Sequence, residues 1–179
     1  MDDFKLIIGE KVYKRYYRVS VSGSMPYQTD LKIDAWTMAV NRPDGSHVED
    51  RTDINYDYWL TMDELTSEFN ADPLIISDAT ELMCESKCFF DSLFDGPKHD
   101  SSYDDLYFRV LTDDDGWFGI DGVVKSETRP NDSQCCWHEC TETYKTWLEI
   151  MEYRPDLLPD AVHIHETYKP EMVGEALPF

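Results

Sequence analysis

The pattern of apolar and polar positions opens on strands. Residues 4–8 and 12–21 read as two strands turning around Gly9-Glu10, with Tyr13, Tyr17, Val19 and Val21 set among Lys14, Arg15 and Arg18. Residues 30–40 alternate again, predicting a strand with Leu31, Ile33, Ala35 and Thr37 on one face and Lys32, Asp34, Trp36 and Met38 on the other. Arg42-Pro43-Asp44-Gly45-Ser46 is a turn by chemistry, since proline presets φ and glycine tolerates positive φ. Residues 47–60 pass from polar to aromatic and end in Tyr56, Tyr58, Trp59 and Leu60.

The period then changes. Thr61-x-x-Glu64 is a capping box that predicts a short helix over 62–69, with Pro73 closing its neighbourhood. Asp78-x-x-Glu81 predicts the start of a longer helix, 79–94, stopped by Asp95-Gly96-Pro97. Its apolar stripe is Leu82, Met83, Ser86, Phe89, Phe90 and Leu93. After a polar loop at 98–103, Leu106–Leu111 and Trp117–Val124 flank Asp113-Asp114-Asp115-Gly116, the clearest hairpin signal in the chain. Pro130-Asn131-Asp132-Ser133 supplies a helix cap. The stripe Cys136, Cys140, Tyr144, Trp147, Leu148 and Met151 then predicts a helix over 134–152. Residues 161–168 read as a last strand, followed by an irregular tail. No internal repeat is evident. The expected fold class is α+β: a single domain, residues 1–179, with a mostly antiparallel sheet, two longer helices and one short helix.

Charge changes the picture most. Asp and Glu number 37 against 16 Lys and Arg, for a net −21 and a pI near 4.3. Residues 1–18 run the other way, with five basic side chains against three acidic, a net +2. The remainder holds 11 basic and 34 acidic, a net −23. Such a field repels nucleic acid and anionic membranes and speeds encounter with basic partners. The chain is not an acidic tail: 41% of it is hydrophobic and 13% aromatic, including 5 Trp and 11 Tyr. Ile, Phe, Tyr, Met and Cys stay common, which argues against a merely salt-adapted surface.

The start, Met-Asp-Asp-Phe-Lys, has no basic segment followed by an apolar one, and no apolar run approaches the ~18 residues that span a bilayer. With five cysteines, an odd number, reduced thiols and a cytoplasmic location are expected. Cys84 and Cys88 point away from their helix's core stripe, among Glu81, Glu85, Lys87 and Asp91. They and the His163-x-His165 pair, which would share a face of a strand, are the metal-ligand candidates. The C-x3-C spacing departs from the usual C-x2-C of structural zinc, so coverage by another segment of the chain or by a partner, without a disulfide joining them, is the simpler expectation for the thiols and no cofactor is expected.

No phosphate-cradling glycine loop, G-x-S-x-G elbow or H-E-x-x-H motif is present, and Asp113–Asp115 lacks the alternating oxygen ligands of a calcium loop. The expectation is therefore a binding protein and not an enzyme. Carboxylates on a folded surface offer lysine and arginine much of what phosphates offer. Small acidic proteins of mobile elements that block restriction or CRISPR nucleases, and immunity proteins of basic nucleases, use that chemistry. The likeness is one of charge class. The expected partner is thus a basic, nucleic-acid-binding protein, with no direct contact to nucleic acid or membrane. The expected contact residues are Glu81, Glu85 and Asp91, then Asp100, Asp104 and Asp105, then Asp113, Asp114 and Asp115, with Tyr103 and Trp117 as desolvated anchors. The alternatives are an acidic adaptor that binds through its aromatics, or an enzyme or zinc protein without a linear motif.

Overall fold

Alternating side chains build the first sheet around one long strand, in a computed structural model that describes residues 5–24, 29–49, 53–94, 106–134 and 140–167. Strand β1 (Lys5–Ile8) turns at Gly9, whose φ of +61° suits glycine, into β2 (Lys11–Ser24). β3 (Thr29–Ala39) pairs along one edge of β2, while β1 and β5 (Asp53–Leu60) share the other, and β4 (His47–Glu49) lies outside β5. All these pairings are antiparallel. On β2, Tyr13, Tyr17, Val19 and Val21 face the core, as their alternation requires.

The faces of β3 differ from the strict alternation expected of them. Arg18 pairs with Ala35 and Val19 with Ile33, so Asp34 is an extra, bulged residue. Side chains change face across it. Ile33 therefore joins Trp36 and Met38 in the main core, while Ala35 and Ala39 turn to the opposite face beside Tyr16 and Trp59. Arg18 and Arg42 cover that small cluster, each guanidinium 5.9 Å from the Trp59 and Tyr16 rings respectively.

Helix α1 (Met62–Glu68) starts at the expected capping box. Helix α2 (Pro73–Phe94) starts six residues before the expected 79: Asp72 accepts the Leu74 N–H at 2.9 Å, and Pro73 occupies the first turn, where its missing N–H costs nothing. Pro73 opens a helix instead of closing one, and Asp78 is interior. Ala79, Ser86, Phe89 and Phe90 are buried, with Trp36 packed at 5.8 Å from Phe89 and 5.7 Å from Phe90. The stop expected at 95–97 lies outside the described residues.

The second sheet has the order β7-β6-β9-β8. β6 (Leu106–Asp113) and β7 (Gly116–Lys125) form the expected hairpin. The helix expected over 134–152 is not one helix. Ser133–Gln134 is β8, Thr141–Lys145 is β9, and only Trp147–Tyr153 is helical, as α3. Residues 135–139, including Cys136, lie outside the described set. Thr141, Thr143 and Tyr144 suit an extended backbone, and β9 completes the free edge of β6.

The last expected strand is also a helix. A 3-10 turn, Pro155–Leu157, leads into α4 (Leu158–Thr167), whose Leu158, Ala161 and Val162 are buried at helical spacing. α4 packs on both β3 and β7, and one core of buried residues draws on both sheets. The fold is α+β with antiparallel sheets and four α-helices among the described residues. No described helix is long and apolar enough to cross a membrane.

Candidate partner-binding surface

The hairpin tip holds its carboxylates in a defined turn. Gly116, at φ +116°, takes the conformation that other residues avoid, and the Asp113 carboxylate accepts the Asp115 backbone N–H at 2.9 Å. All three aspartates are exposed. Among the described residues none of them is paired with a cation. Elsewhere cations are consumed one by one: Lys11 by Glu152, Arg18 and Lys32 by Asp34, Arg42 by Glu64, Arg109 by Asp121, Arg129 by Glu149 and Arg154 by Asp156. The tip holds the longest run of consecutive acidic side chains in the sequence.

Trp117 stands next to it. The indole is half-buried against the core, with the Tyr153 ring 6.1 Å away at 68° and Lys145 Nζ 5.3 Å from the ring centre. Arg154 donates to the Trp117 carbonyl while Asp156 grips the same guanidinium at 2.9 and 2.7 Å. That grip raises the Arg154 pKa above its already high value. Tyr153 is 65% exposed and Phe118, on the neighbouring position of β7, 49% exposed. Tyr153 and Arg154 also line a cleft of 570 Å³ closed on its other side by Lys11, Tyr13 and the 39–44 segment. Just beyond that segment, Ser46 ties the chain to β5 by donating its backbone N–H at 3.0 Å and its hydroxyl to Asp57. A Cβ on Gly45 would stand 2.0 Å from the Asp57 carbonyl oxygen, so only glycine fits there. Acidic tip, aromatic pair and cleft are therefore contiguous.

The other expected contact residues are distributed differently. Glu81 is exposed on α2, but Glu85 turns inward and accepts the Trp36 indole N–H at 3.2 Å. Asp91 lies on α2 with its side chain outside the described set, and Asp100, Tyr103, Asp104 and Asp105 lie outside the described residues altogether. α2 packs on β3, whereas β7 of the hairpin packs on α4. Lys145, Tyr153 and Arg154 were missed in the sequence. The one available signal was Thr146-x-x-Glu149, which starts α3 and brings Tyr153 to Trp117.

A second depression, of 340 Å³, is lined by Arg18, Asp34, Trp36, Glu85, Asp160 and His163. Arg18 and Asp34 meet at 2.8 Å, and desolvation by the pocket walls pushes the Asp160 carboxyl above its ordinary range, with Arg18 and His163 opposing. His163 and His165 lie on α4 and not on a strand, so they do not share a face: His163 is exposed and His165 meets Phe89 edge-on at 5.4 Å. Cys84 and Cys88 are exposed on α2, so of the two expected forms of coverage only that by a partner is left, while Cys140 is buried. Among the described residues no group of three or more His, Cys, Asp or Glu side chains is placed to hold a metal ion.

Comparison with protein-family models, curated proteins and solved structures found no match to this chain in sequence or in fold.

Proposed function

We propose that this chain is an acidic, cytoplasmic inhibitor that binds a basic protein and occupies the nucleic-acid-binding groove of a nuclease or nucleoprotein, without catalysing a reaction. One observation carries the reading: three consecutive, exposed carboxylates, with no cation partner among the described residues, on a turn of defined geometry set against the Trp117–Tyr153 pair. The aspartates supply phosphate-like acceptors for lysine and arginine, and a net charge of −21 steers a basic target toward them. The aromatic pair supplies apolar area that can be desolvated, which charge alone does not provide.

The test is capture of the target from a cytoplasmic extract, followed by affinity measurement at low and physiological salt. Steering and phosphate-like contact require binding that weakens steeply with salt, mainly through slower association. An affinity indifferent to salt overturns the mimic. The exposure of Tyr153 and Phe118 favours one second reading, an adaptor that docks through aromatics. In that case Tyr153→Ala and Phe118→Ala abolish binding while charge changes at the tip leave it intact.

A further inference from the structure

Helix α2 carries two exposed thiols one turn apart, and helix geometry decides what such a pair can do. Side chains at i and i+4 have Cβ atoms about 5–6 Å apart. A disulfide needs about 3.5–4.5 Å, so Cys84 and Cys88 are too far apart to oxidise to one another without unwinding the helix. The same separation suits a bridging metal. Two metal–sulfur bonds of about 2.3 Å hold the sulfurs roughly 3.8–4.6 Å apart, between tetrahedral and linear geometry. Cysteine is among the most buried residue types, so two thiols left exposed on one helical face call for a chemical reason.

The ligand count selects the ion. Zinc wants four ligands, and no third His, Cys, Asp or Glu side chain joins the pair among the described residues. Soft monovalent ions of the copper group accept two thiolates. We propose that Cys84 and Cys88 form a bis-thiolate site for such an ion, independent of the partner-binding surface. On binding, each thiol releases its proton to solvent, two sulfur–metal bonds form, and no electron is transferred. The site is α2's own: Ala79, Ser86, Phe89 and Phe90 hold the opposite face of the helix in the core, so the two sulfurs project from a fixed backbone. Pre-organisation then favours the pair over two independent monothiols.

The test uses silver(I), which is redox-inert, on the full chain carrying Cys135→Ser and Cys136→Ser so that no other adjacent thiols compete. Titration is followed by thiolate-to-metal ultraviolet absorption, with glutathione as competitor, and alkylation with mass spectrometry identifies the protected cysteines. One silver ion per chain is expected, with Cys84 and Cys88 both protected. Affinity should fall roughly 10²-fold or more in Cys84→Ser and equally in Cys88→Ser, from loss of the chelate. Both positions are exposed, so these variants keep the native circular dichroism. An affinity in either single variant as high as in the parent that keeps both thiols, or one ion shared between two chains, overturns the proposal.

Discussion

Two short helices of this protein are built on the same local plan, and only one of them was legible. α1 follows β5 and α3 follows β9. In each, a threonine N-cap and a glutamate three residues on exchange hydrogen bonds. The Thr61 N–H meets Glu64 at 2.8 Å and the Thr146 N–H meets Glu149 at 2.8 Å, with return bonds of 3.4 and 3.3 Å. Each helix is seven residues long, buries its first and fourth positions (Met62 and Leu65, Trp147 and Ile150), and has its glutamate clamped by an arginine from elsewhere, Arg42 or Arg129. This is a repeat of local structure, seven residues long each time, without an evident repeat in the sequence. Around Thr61 the flanking residues carried no competing helical period. Around Thr146 a stripe from Cys136 to Met151 did, and the longer pattern overrode the cap. A capping box inside an apparent helix is evidence of a boundary.

Substitutions of the first buried position should separate the two helices most. Trp147→Ala should cost about 3–5 kcal/mol and Met62→Ala about 2–5, the indole removing more packed volume, including its contact with Phe90 at 6.0 Å. Urea unfolding checks this, and a Trp147→Ala protein as stable as wild type would remove α3 from the core.

The caps come next. Thr61→Ala and Thr146→Ala should each cost about 1 kcal/mol, and by similar amounts if the two boxes are equivalent. A large asymmetry in denaturation midpoint would break the comparison.

Acid should weaken both boxes in the same way. Burial pushes the Glu64 and Glu149 carboxyls up, but the threonine backbone N–H, the arginine and the threonine hydroxyl outweigh it, so both lie below their ordinary value in the folded state. A carboxyl with a depressed folded pKa stabilises fully above its unfolded value, about 4.3, and loses that stabilisation as pH falls through the folded one. Glu64→Gln and Glu149→Gln should each make stability less steep in pH below that point. An unchanged acid limb in both would show that the clamps carry no net linkage.

A small effect on folding is expected at the hairpin tip, where the carboxylates hold neither a helix nor an arginine and only Asp113 makes a hydrogen bond within the turn. Reversing Asp114 and Asp115 to Lys should shift stability within about 0.5 kcal/mol per position, and Asp113→Lys by about 1 kcal/mol, since it also loses the bond to the Asp115 N–H. Binding to a basic target should weaken sharply. A folded variant that binds as wild type at physiological salt would turn the reading toward the aromatic adaptor.

The sequence by itself determined what rests on neighbours in the chain. The β1–β2 turn at Gly9, the Thr61 box, the core stripe of α2 and the Asp-Gly hairpin all depend on contacts a few residues apart, so their signals are local. The placement of Asp113–Asp115 and Trp117 on that hairpin was legible for the same reason. Tertiary structure decided the rest. Residues 141–145 become a strand because β6 offers an unpaired edge, and 158–167 become a helix because Leu158, Ala161 and Val162 bury between β3 and β7. The bulge at Asp34 reassigns the faces of β3 although the alternation around it is regular. Lys145, Tyr153 and Arg154 reach Trp117 across 28 to 37 positions, by way of the β6–β9 pairing and the restart at Thr146. Burial and strand pairing are satisfied by whichever distant segment arrives, and their free energy exceeds the tenths of a kilocalorie by which local propensity prefers helix over strand.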